Sequence, residues 1–518
     1  MAEPRVLVVG AGVGGLVAGL LLAARGLDVT LIEAADAPGG KMRPLQVNGH
    51  DIDAGPTVFT MRWVFDELLH EAGSSLAALL PGLQPLQVLA RHHWAQDGSQ
   101  LDLFADRTRS ADAIAAWSSP AEARRYLAFC DEAGRVYRQL EGPHIRSSRP
   151  GFMRMVADLG PRGLATLAGL GPLATLATAL GKRFEDPRLR QLFGRYATYC
   201  GASPWAAPAT LMLVAHVEQD GVWALPGGMA ALARALAQLL ATRGGRIRYG
   251  ARCEAIEQQG GRVCGVRLSG GERLEADAVV FNGDAAALPA LLGQAAAPRP
   301  SHPRSLSAVT WAAHVPTQGL PLTRHQVFFD GDYASEFADV FQHRRLPQQG
   351  TVYLCAQDRR DDEPWRAGQP ERLLMLVNAP ADGDSRAFGD VETETCQTRA
   401  LELLRRCGLT LSLPAGSTLR RTPADFHRLF PATGGALYGP ATHGWMALFR
   451  RPSTTTALPG LVLAGGSVHP GPGVPMAAMS GRLAAATLMA HLGSTRRSHR
   501  VLISGGTSMP SATTAATR

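Results

Sequence analysis

The stretch that most constrains this chain is residues 6–15, VLVVGAGVGG. Residues 6–9 are a short apolar run rich in β-branched side chains, as a strand buried on both faces of a parallel sheet requires. Gly10, Gly12 and Gly15 follow in G-x-G-x-x-G register, with Gly14 as an extra small residue. Residues 16–24 then read as a helix with Gly26 at its C-terminal cap, and residues 28–32 as a second strand leading into Glu33. The spacing has a chemical reason. The first glycine lets the chain turn tightly, the second lets a pyrophosphate approach the backbone, and the third lets the helix pack close to the strand with its N-terminus toward the phosphates. An acid about 20 residues further on, here Glu33, can take ribose hydroxyls. A competing reading treats residues 6–24, 19 uncharged residues between Arg5 and Arg25, as a membrane helix or signal segment. Five glycines inside the run and the immediate return to a strand argue against it.

Gly39-Gly40-Lys41-Met42-Arg43 follows. Two glycines again permit close backbone approach, and cations beside them suit a diphosphate, although Lys41 and Arg43 also read as ordinary surface charges. An N-terminal fingerprint followed by this Gly-Gly-basic segment resembles the flavin amine oxidase and phytoene desaturase superfamily. The resemblance implies that Gly40, Lys41 and Arg43 extend a cofactor site beyond the first βαβ unit, which makes the cofactor FAD rather than NAD.

At 518 residues the chain is long enough for two or more domains, and 46% hydrophobic content with 19% charge is that of a globular protein. The net charge of +8 invites a nucleic-acid reading. Only Lys41 and Lys182 are lysines, however, leaving 50 of the 52 basic residues as arginine, scattered and without aromatic interleaving. That pattern excludes nucleic acid as the partner and leaves an anionic membrane surface open. Seven cysteines form no C-x-x-C pair and no metal-ligand spacing, so we expect no metal and reduced thiols in a cytoplasmic setting.

Asp53-Ala54-Gly55-Pro56-Thr57 comes after a short strand read at residues 45–53. Gly-Pro marks turns anywhere; by resemblance, Gly55, Pro56 and Thr57 run beside the flavin ring. Residues 61–73 read as helical. Residues 107–225 are mostly helical with Pro and Gly punctuation. Within them, residues 163–181 are again 19 residues without charge, broken by Pro172 and four glycines, with Leu173, Leu176 and Leu180 on one helical face. An apolar hairpin with Lys182-Arg183 behind it fits dipping into one membrane leaflet, and it equally fits a core helix pair lining a cavity. Residues 223–229, WALPGGM, open a helix at 230–241 and lead to strands at 246–256, where the backbone near Cys253 matches the strand that meets the adenine in the family. Residues 263–268 and 278–282 complete a meander, and further strands read at 308–314, 351–356 and 373–378.

The last landmark is residues 461–481, LVLAGGSVHPGPGVPMAAMSG, an apolar strand running into Gly465-Gly466 and then a helix from about Met476. His469, Pro470, Gly471, Gly473 and Pro475 match the family's H-P-G-x-G-x-P segment, which places Gly465, Gly466, Pro475 and Met476 at the flavin. Gly466 departs from the pattern, since many flavoproteins carry an acid there. His469 is the one weak catalytic candidate, set against a purely structural role. Residues 494–518 read as a disordered tail.

Together these segments imply an α/β fold. A Rossmann-like FAD-binding domain of the flavin amine oxidase and GDP-dissociation-inhibitor type interleaves with an α+β substrate domain and a helical cap that contacts either a membrane or the core. The division is 1–106, 226–283 and 431–493 for the FAD-binding parts, 107–225 for the cap, 284–430 for the substrate sheet and 494–518 for the tail. The resemblance is closest to bacterial carotenoid desaturases of the phytoene desaturase type. Within these, residues 53–65, DAGPTVFTMRWVF, look like the 1-hydroxycarotenoid 3,4-desaturase subgroup acting on substrates such as hydroxyneurosporene. This implies a long acyclic carotenoid substrate, oxygen or a quinone as electron acceptor, and a cytoplasmic protein able to sit on the inner face of the cell membrane. Broader phytoene or neurosporene desaturation, polyene isomerisation and flavin amine oxidation are the alternative activities, and a flavin-free isoprenoid carrier the non-enzymatic one.

Overall fold

The computed structural model describes residues 3–503 except 149, 150, 152, 154, 156, 161, 162, 164–168, 172, 295–302 and 361–367. Its first sheet has five strands in the order Leu461–Leu463, Ala278–Phe281, Arg5–Val9, Asp28–Ile32 and Arg246–Arg248, every neighbouring pair parallel. Ala278–Phe281 is buried throughout, as the uninterrupted apolar run demands of a strand covered on both faces. One face packs under the helices Val13–Ala23, Gly228–Thr242 and Val474–Ile503. The other is covered by the antiparallel meander Cys253–Gln259, Arg262–Leu268 and Arg273–Glu275.

Where the first and last helices cross, there is no room for side chains. A Cβ on Gly481 would collide with the carbonyl oxygen of Gly14, and one on Gly15 with that of Gly10. The third fingerprint glycine therefore packs the helix against the strand, as its spacing implied.

The second sheet has seven strands in the order Thr418–Arg421, Ser307–Pro316, Pro370–Ala379, Val352–Ala356, His325–Phe329, Val88–Trp94 and Gln100–Phe104. One face packs on the Asp390–Arg406 helix, the other on the cap helices, including Pro120–Leu140 and Pro187–Gly194. Residues 88–104, grouped by sequence with the first FAD-binding segment, belong here instead. Val88–Trp94 pairs in parallel with His325–Phe329, a partner more than 200 residues away that no local pattern reveals.

Three further expectations change. The strand read at 45–53 is a hairpin, Pro44–Val47 and His50–Asp53, because Asn48 (φ 51°) and Gly49 (φ 77°) both adopt the left-handed conformation of a two-residue turn. The Val474–Ile503 helix carries its backbone ten residues into the segment assigned to the tail; residues 504–518 lie outside the described residues. Much of 163–181 also lies outside them. In the described part Gly163, Gly169 and Leu170 are helical, and a separate helix, Leu176–Gly181, begins at the Thr175 cap, so Leu176 and Leu180 are buried in the cap core while Leu173 is 78% exposed.

The crossing supplies a test of backbone contact. Gly481→Ala is expected to cost about 3 kcal/mol, the upper end of typical overpacking, because the clash is with backbone that cannot rotate away. Gly493→Ala, in the same helix with nothing within 4 Å of its Cβ, is expected to stabilise by up to about 1 kcal/mol. Thermal unfolding of the two variants beside the wild type measures both.

Candidate functional site

At the carboxyl ends of Arg5–Val9, Asp28–Ile32 and Ala278–Phe281 the chain encloses a cavity of about 600 Å³. Open parallel sheets bind ligands at this edge, where helix N-termini converge. The floor is Gly10, Gly12 and Gly14. The Val13–Ala23 helix begins on Gly12 with no side-chain cap and no acid in its first turn, leaving its leading N–H groups free of side-chain acceptors. That end suits an anion. A Cβ on Gly14 would come within 2.6 Å of Asn282 Oδ1 and 2.9 Å of the Ala477 carbonyl oxygen, so the floor stays bare backbone.

Glu33 stands at one side, buried, with Oε2 accepting from Ala11 N (2.6 Å) and Oε1 from Ala35 N (2.9 Å). These bonds hold the carboxylate in place and leave further lone pairs for hydroxyls. Ala251, Arg252 and Cys253 form the wall beyond it. Opposite stand Gly39 to Arg43 with Gly55 and Pro56, and Gly55 passes so close to the Lys41 carbonyl that any Cβ there would collide with it. Gly465, Gly466, Pro472 and Gly473 close the C-terminal side.

The cavity wall is rich in cations. Lys41 Nζ donates to the Leu437 carbonyl (2.6 Å), and burial pushes its pKa down while the nearby Asp284 carboxylate opposes that shift. Arg43 Nε donates to the Gly40 carbonyl (2.7 Å), and both cations lie over the Phe430 ring. Behind Gly466, Arg451 donates to the carbonyls of Tyr438 (2.9 Å) and Pro440 (3.0 Å), and burial lowers its pKa to about 10. It stays charged at neutral pH. The position that lacks the usual acid thus sits in front of a buried guanidinium.

Not every residue read from the sequence reaches the cavity. Gly15 serves the helix–strand contact. Pro475 and Met476 lie in the first turn of the last helix, outside the lining, and Met476 packs against the adjacent core. Thr57 turns its Oγ1 to Tyr353 Oη, 2.7 Å away on the seven-stranded sheet. Asp53 caps the Gly228–Thr242 helix through the N–H groups of Met229 (2.7 Å) and Ala230 (3.2 Å). His469 is fully buried away from the cavity, its Nε2 bonded to the His144 carbonyl (2.9 Å), and burial lowers its pKa to about 4. It fastens the C-terminal loop to the cap rather than facing a substrate.

The sequence reading missed Asn282, whose Nδ2 donates to the Gly10 carbonyl (3.1 Å) beneath the glycine floor, as well as Asp284 and Arg451. For Asn282 and Asp284 a signal existed: Asn282-Gly283-Asp284 ends an apolar parallel strand, where this architecture gathers polar contacts. The sheet also enters the site, through Thr310, Leu376 and Arg421.

This donor set fits FAD: bare glycine backbone at an uncapped helix end for the diphosphate, a fixed carboxylate for a ribose, and cations alongside. The family model of flavin-containing amine oxidoreductases matches residues 13–489. Among curated relatives, the chain is 61% identical to a hydroxyneurosporene desaturase of Rubrivivax gelatinosus, covering 99% of both chains. It is 45% identical to a hydroxyneurosporene desaturase of Cereibacter sphaeroides, covering 95% of this chain and 99% of that one. Among solved structures, a putrescine oxidase superposes with a TM-score of 0.60 at 16% identity, covering 94% of this chain and 99% of that one, which shows the fold. The chain is therefore an FAD-dependent member of the flavin-containing amine oxidoreductase family and belongs, within it, to the carotenoid desaturases.

Proposed function

We propose that this carotenoid desaturase oxidises the C3–C4 bond of a 1-hydroxylated acyclic carotenoid such as hydroxyneurosporene. The observation that carries this reading is the 61% identity, over nearly the whole of both chains, to a relative named for that substrate. In this reading Gly10, Gly12 and Gly14 hold the diphosphate, Glu33 a ribose, and Ala251 to Cys253 the adenine side. Lys41 and Arg43 offset the negative charge, while Gly55, Pro56, Gly465 and Gly466 bound the ring and ribityl end. Bound FAD supplies a hydride acceptor.

The chain's own work is positioning. Thr310 and Leu376 present a sheet face across the cavity from Gly55 and Pro56, so a flat polyene can lie between sheet and cofactor with one C–C bond aligned. A cation beside a polyene is delocalised, so loss of the second hydrogen as a proton needs no strong base. That suits a site in which the one histidine candidate, His469, is turned away. Lys41, Arg43, Arg252 and Arg421 outnumber Glu33 and Asp284 on the wall, which disfavours an ammonium substrate. The electrons pass on to oxygen or a quinone.

The reading extends to peripheral membrane contact on the inner face of the cell membrane. Among the described residues no helix is long and apolar enough to cross a membrane. Met153 (77% exposed) and Leu173 (78% exposed) instead offer apolar surface close in sequence to the exposed Lys182.

Three experiments follow from this reading. Expression in cells accumulating neurosporene, with and without a carotenoid hydratase, is expected to give a loss of two mass units and a red-shifted spectrum only with the hydratase. Desaturation without the hydratase would instead indicate broader phytoene or neurosporene specificity. Lys41→Met is expected to weaken FAD binding about tenfold, the effect of one charge-assisted bond. Because burial lowers the Lys41 pKa and a nearby diphosphate raises it, FAD binding takes up a proton in the pH window between the free and bound values. Wild-type affinity should then be full below the lowered pKa and decline as pH rises through it, and a titration of Lys41→Met should lack that decline. Finally, replacing Met153 and Leu173 by Glu is expected to reduce sedimentation with anionic liposomes; unchanged sedimentation would remove this surface from the contact.

A further inference from the structure

A single row of side chains crosses the seven-stranded sheet on the face toward the cap. Arg421 pairs with Thr310, Thr310 with Leu376, and Leu376 with Tyr353, so all four project from the same face. The first three line the cofactor cavity. Tyr353 stands one strand further, about 5 Å along the sheet from Leu376.

Its phenol is the centre of a polar cluster inside an otherwise apolar core. Tyr353 Oη lies 2.7 Å from Thr57 Oγ1 and 2.8 Å from His325 Nδ1. Arg195, from the cap, holds its guanidinium 5.3 Å from the centre of the Tyr353 ring. Three elements thus converge on one phenol: the segment beside the cofactor, the sheet and the cap. The cluster carries unused hydrogen-bonding capacity. Among the described residues, the one hydrogen bond of the Arg195 guanidinium runs to Tyr199 Oη at 3.3 Å, although a guanidinium has five N–H donors. Tyr199 in turn donates to Glu218 (3.1 Å), which compensates the cation from a distance. His325 Nε2 is buried with no partner. Tyr353, His325 and Glu218 are buried, yet Thr57, Tyr199 and Arg195 keep part of their surface open.

The proposed substrate calls for a polar group near the oxidised bond. In a 1-hydroxylated acyclic carotenoid the oxygen is three bonds from C3, one of the two carbons oxidised. When that bond lies against the cofactor, the hydroxyl falls within a few ångströms of it. Thr57 directly follows Gly55 and Pro56 of the cavity wall, and a buried hydroxyl left without a partner is strongly disfavoured.

We propose that Thr57 Oγ1 and Tyr353 Oη, with the Arg195 guanidinium as an added donor, form the binding site for the hydroxyl at the end of the carotenoid nearest the oxidised bond. His325 positions the Tyr353 phenol. The inference rests on the reading of the substrate as a 1-hydroxylated carotenoid, and it assigns the residues that distinguish this substrate from the parent hydrocarbon. Thr57 becomes a substrate residue rather than a cofactor residue. A site built around a substrate hydroxyl rejects the analogue that lacks it, because its own polar groups are then left unpaired.

The test compares 1-hydroxyneurosporene with neurosporene in liposomes carrying FAD-loaded protein. Binding is followed by quenching of protein fluorescence and turnover by pigment mass. The wild type is expected to bind the hydroxylated pigment more tightly. Tyr353→Phe and, separately, Thr57→Val are expected to lose about tenfold of that affinity, as removal of one buried hydrogen bond implies, with the affinity for neurosporene held within about twofold. Flavin absorbance confirms that each variant is folded and loaded, and Thr57→Val carries the test if Tyr353→Phe does not load. Equal weakening toward both pigments, or no weakening in a loaded variant, makes the cluster a structural tie between cap and sheet and overturns the proposal while leaving the substrate reading intact. A wild type that binds both pigments equally overturns the substrate reading, and the proposal with it.

Discussion

The structure depends on one steric constraint: at the head of the first helix, backbone must touch backbone. Gly14 lies against Asn282, the Ala477 carbonyl and the Gly465 amide, while Gly481 of the last helix presses on the Gly14 carbonyl. Segments from the two ends of the chain and from its middle meet with no Cβ between them. Close packing at this point brings strand Ala278–Phe281 and the C-terminal loop to the same edge as the fingerprint. It also leaves uncapped helical N–H groups bare toward the cavity. The same missing atoms thus close the domain and leave a helix end suited to an anion.

Around that edge the charges are arranged by burial rather than by pairing. Lys41 and Arg451 meet backbone carbonyls, not carboxylates. Glu33 is tied to two backbone N–H groups, and Asp53, two residues before Gly55 of the cavity wall, fixes the start of the Gly228–Thr242 helix. Two left-handed glycines, Gly227 and Gly228, let that helix begin directly against the Asp53 carboxylate. Positive charge is therefore left over in the cavity, where a diphosphate can neutralise it.

The cavity lining was legible because the features that build it are local. A glycine needed for close approach, an acid at a fixed offset and an apolar strand before a turn are each written within about ten to twenty residues. Gly10, Gly12, Gly14, Glu33, Gly40, Lys41, Arg43, Gly55, Pro56, Cys253, Gly465 and Gly466 all line one cavity. The readings that failed depended on distant partners. Thr57 followed cavity residues in sequence but found its partner on a strand almost 300 residues away. His469 resembled a catalytic residue until the cap supplied the His144 carbonyl as its acceptor.

By itself, then, the sequence determined the class of fold, the cofactor and the glycine-rich backbone that lines the cavity, since glycines and β-branched runs restrict φ and ψ and packing distance whatever else the chain does. It also carried the likeness to the desaturases in the order of its motifs. Only the tertiary structure decided that residues 88–104 complete the second sheet, that Arg451 stands behind Gly466, and that Thr57, Tyr353 and Arg195 gather on one face. Those contacts join segments whose local patterns are ordinary strands, turns and helices. Their meaning comes from sheet register and from which polar groups burial leaves without water, and both exist only once the chain has folded.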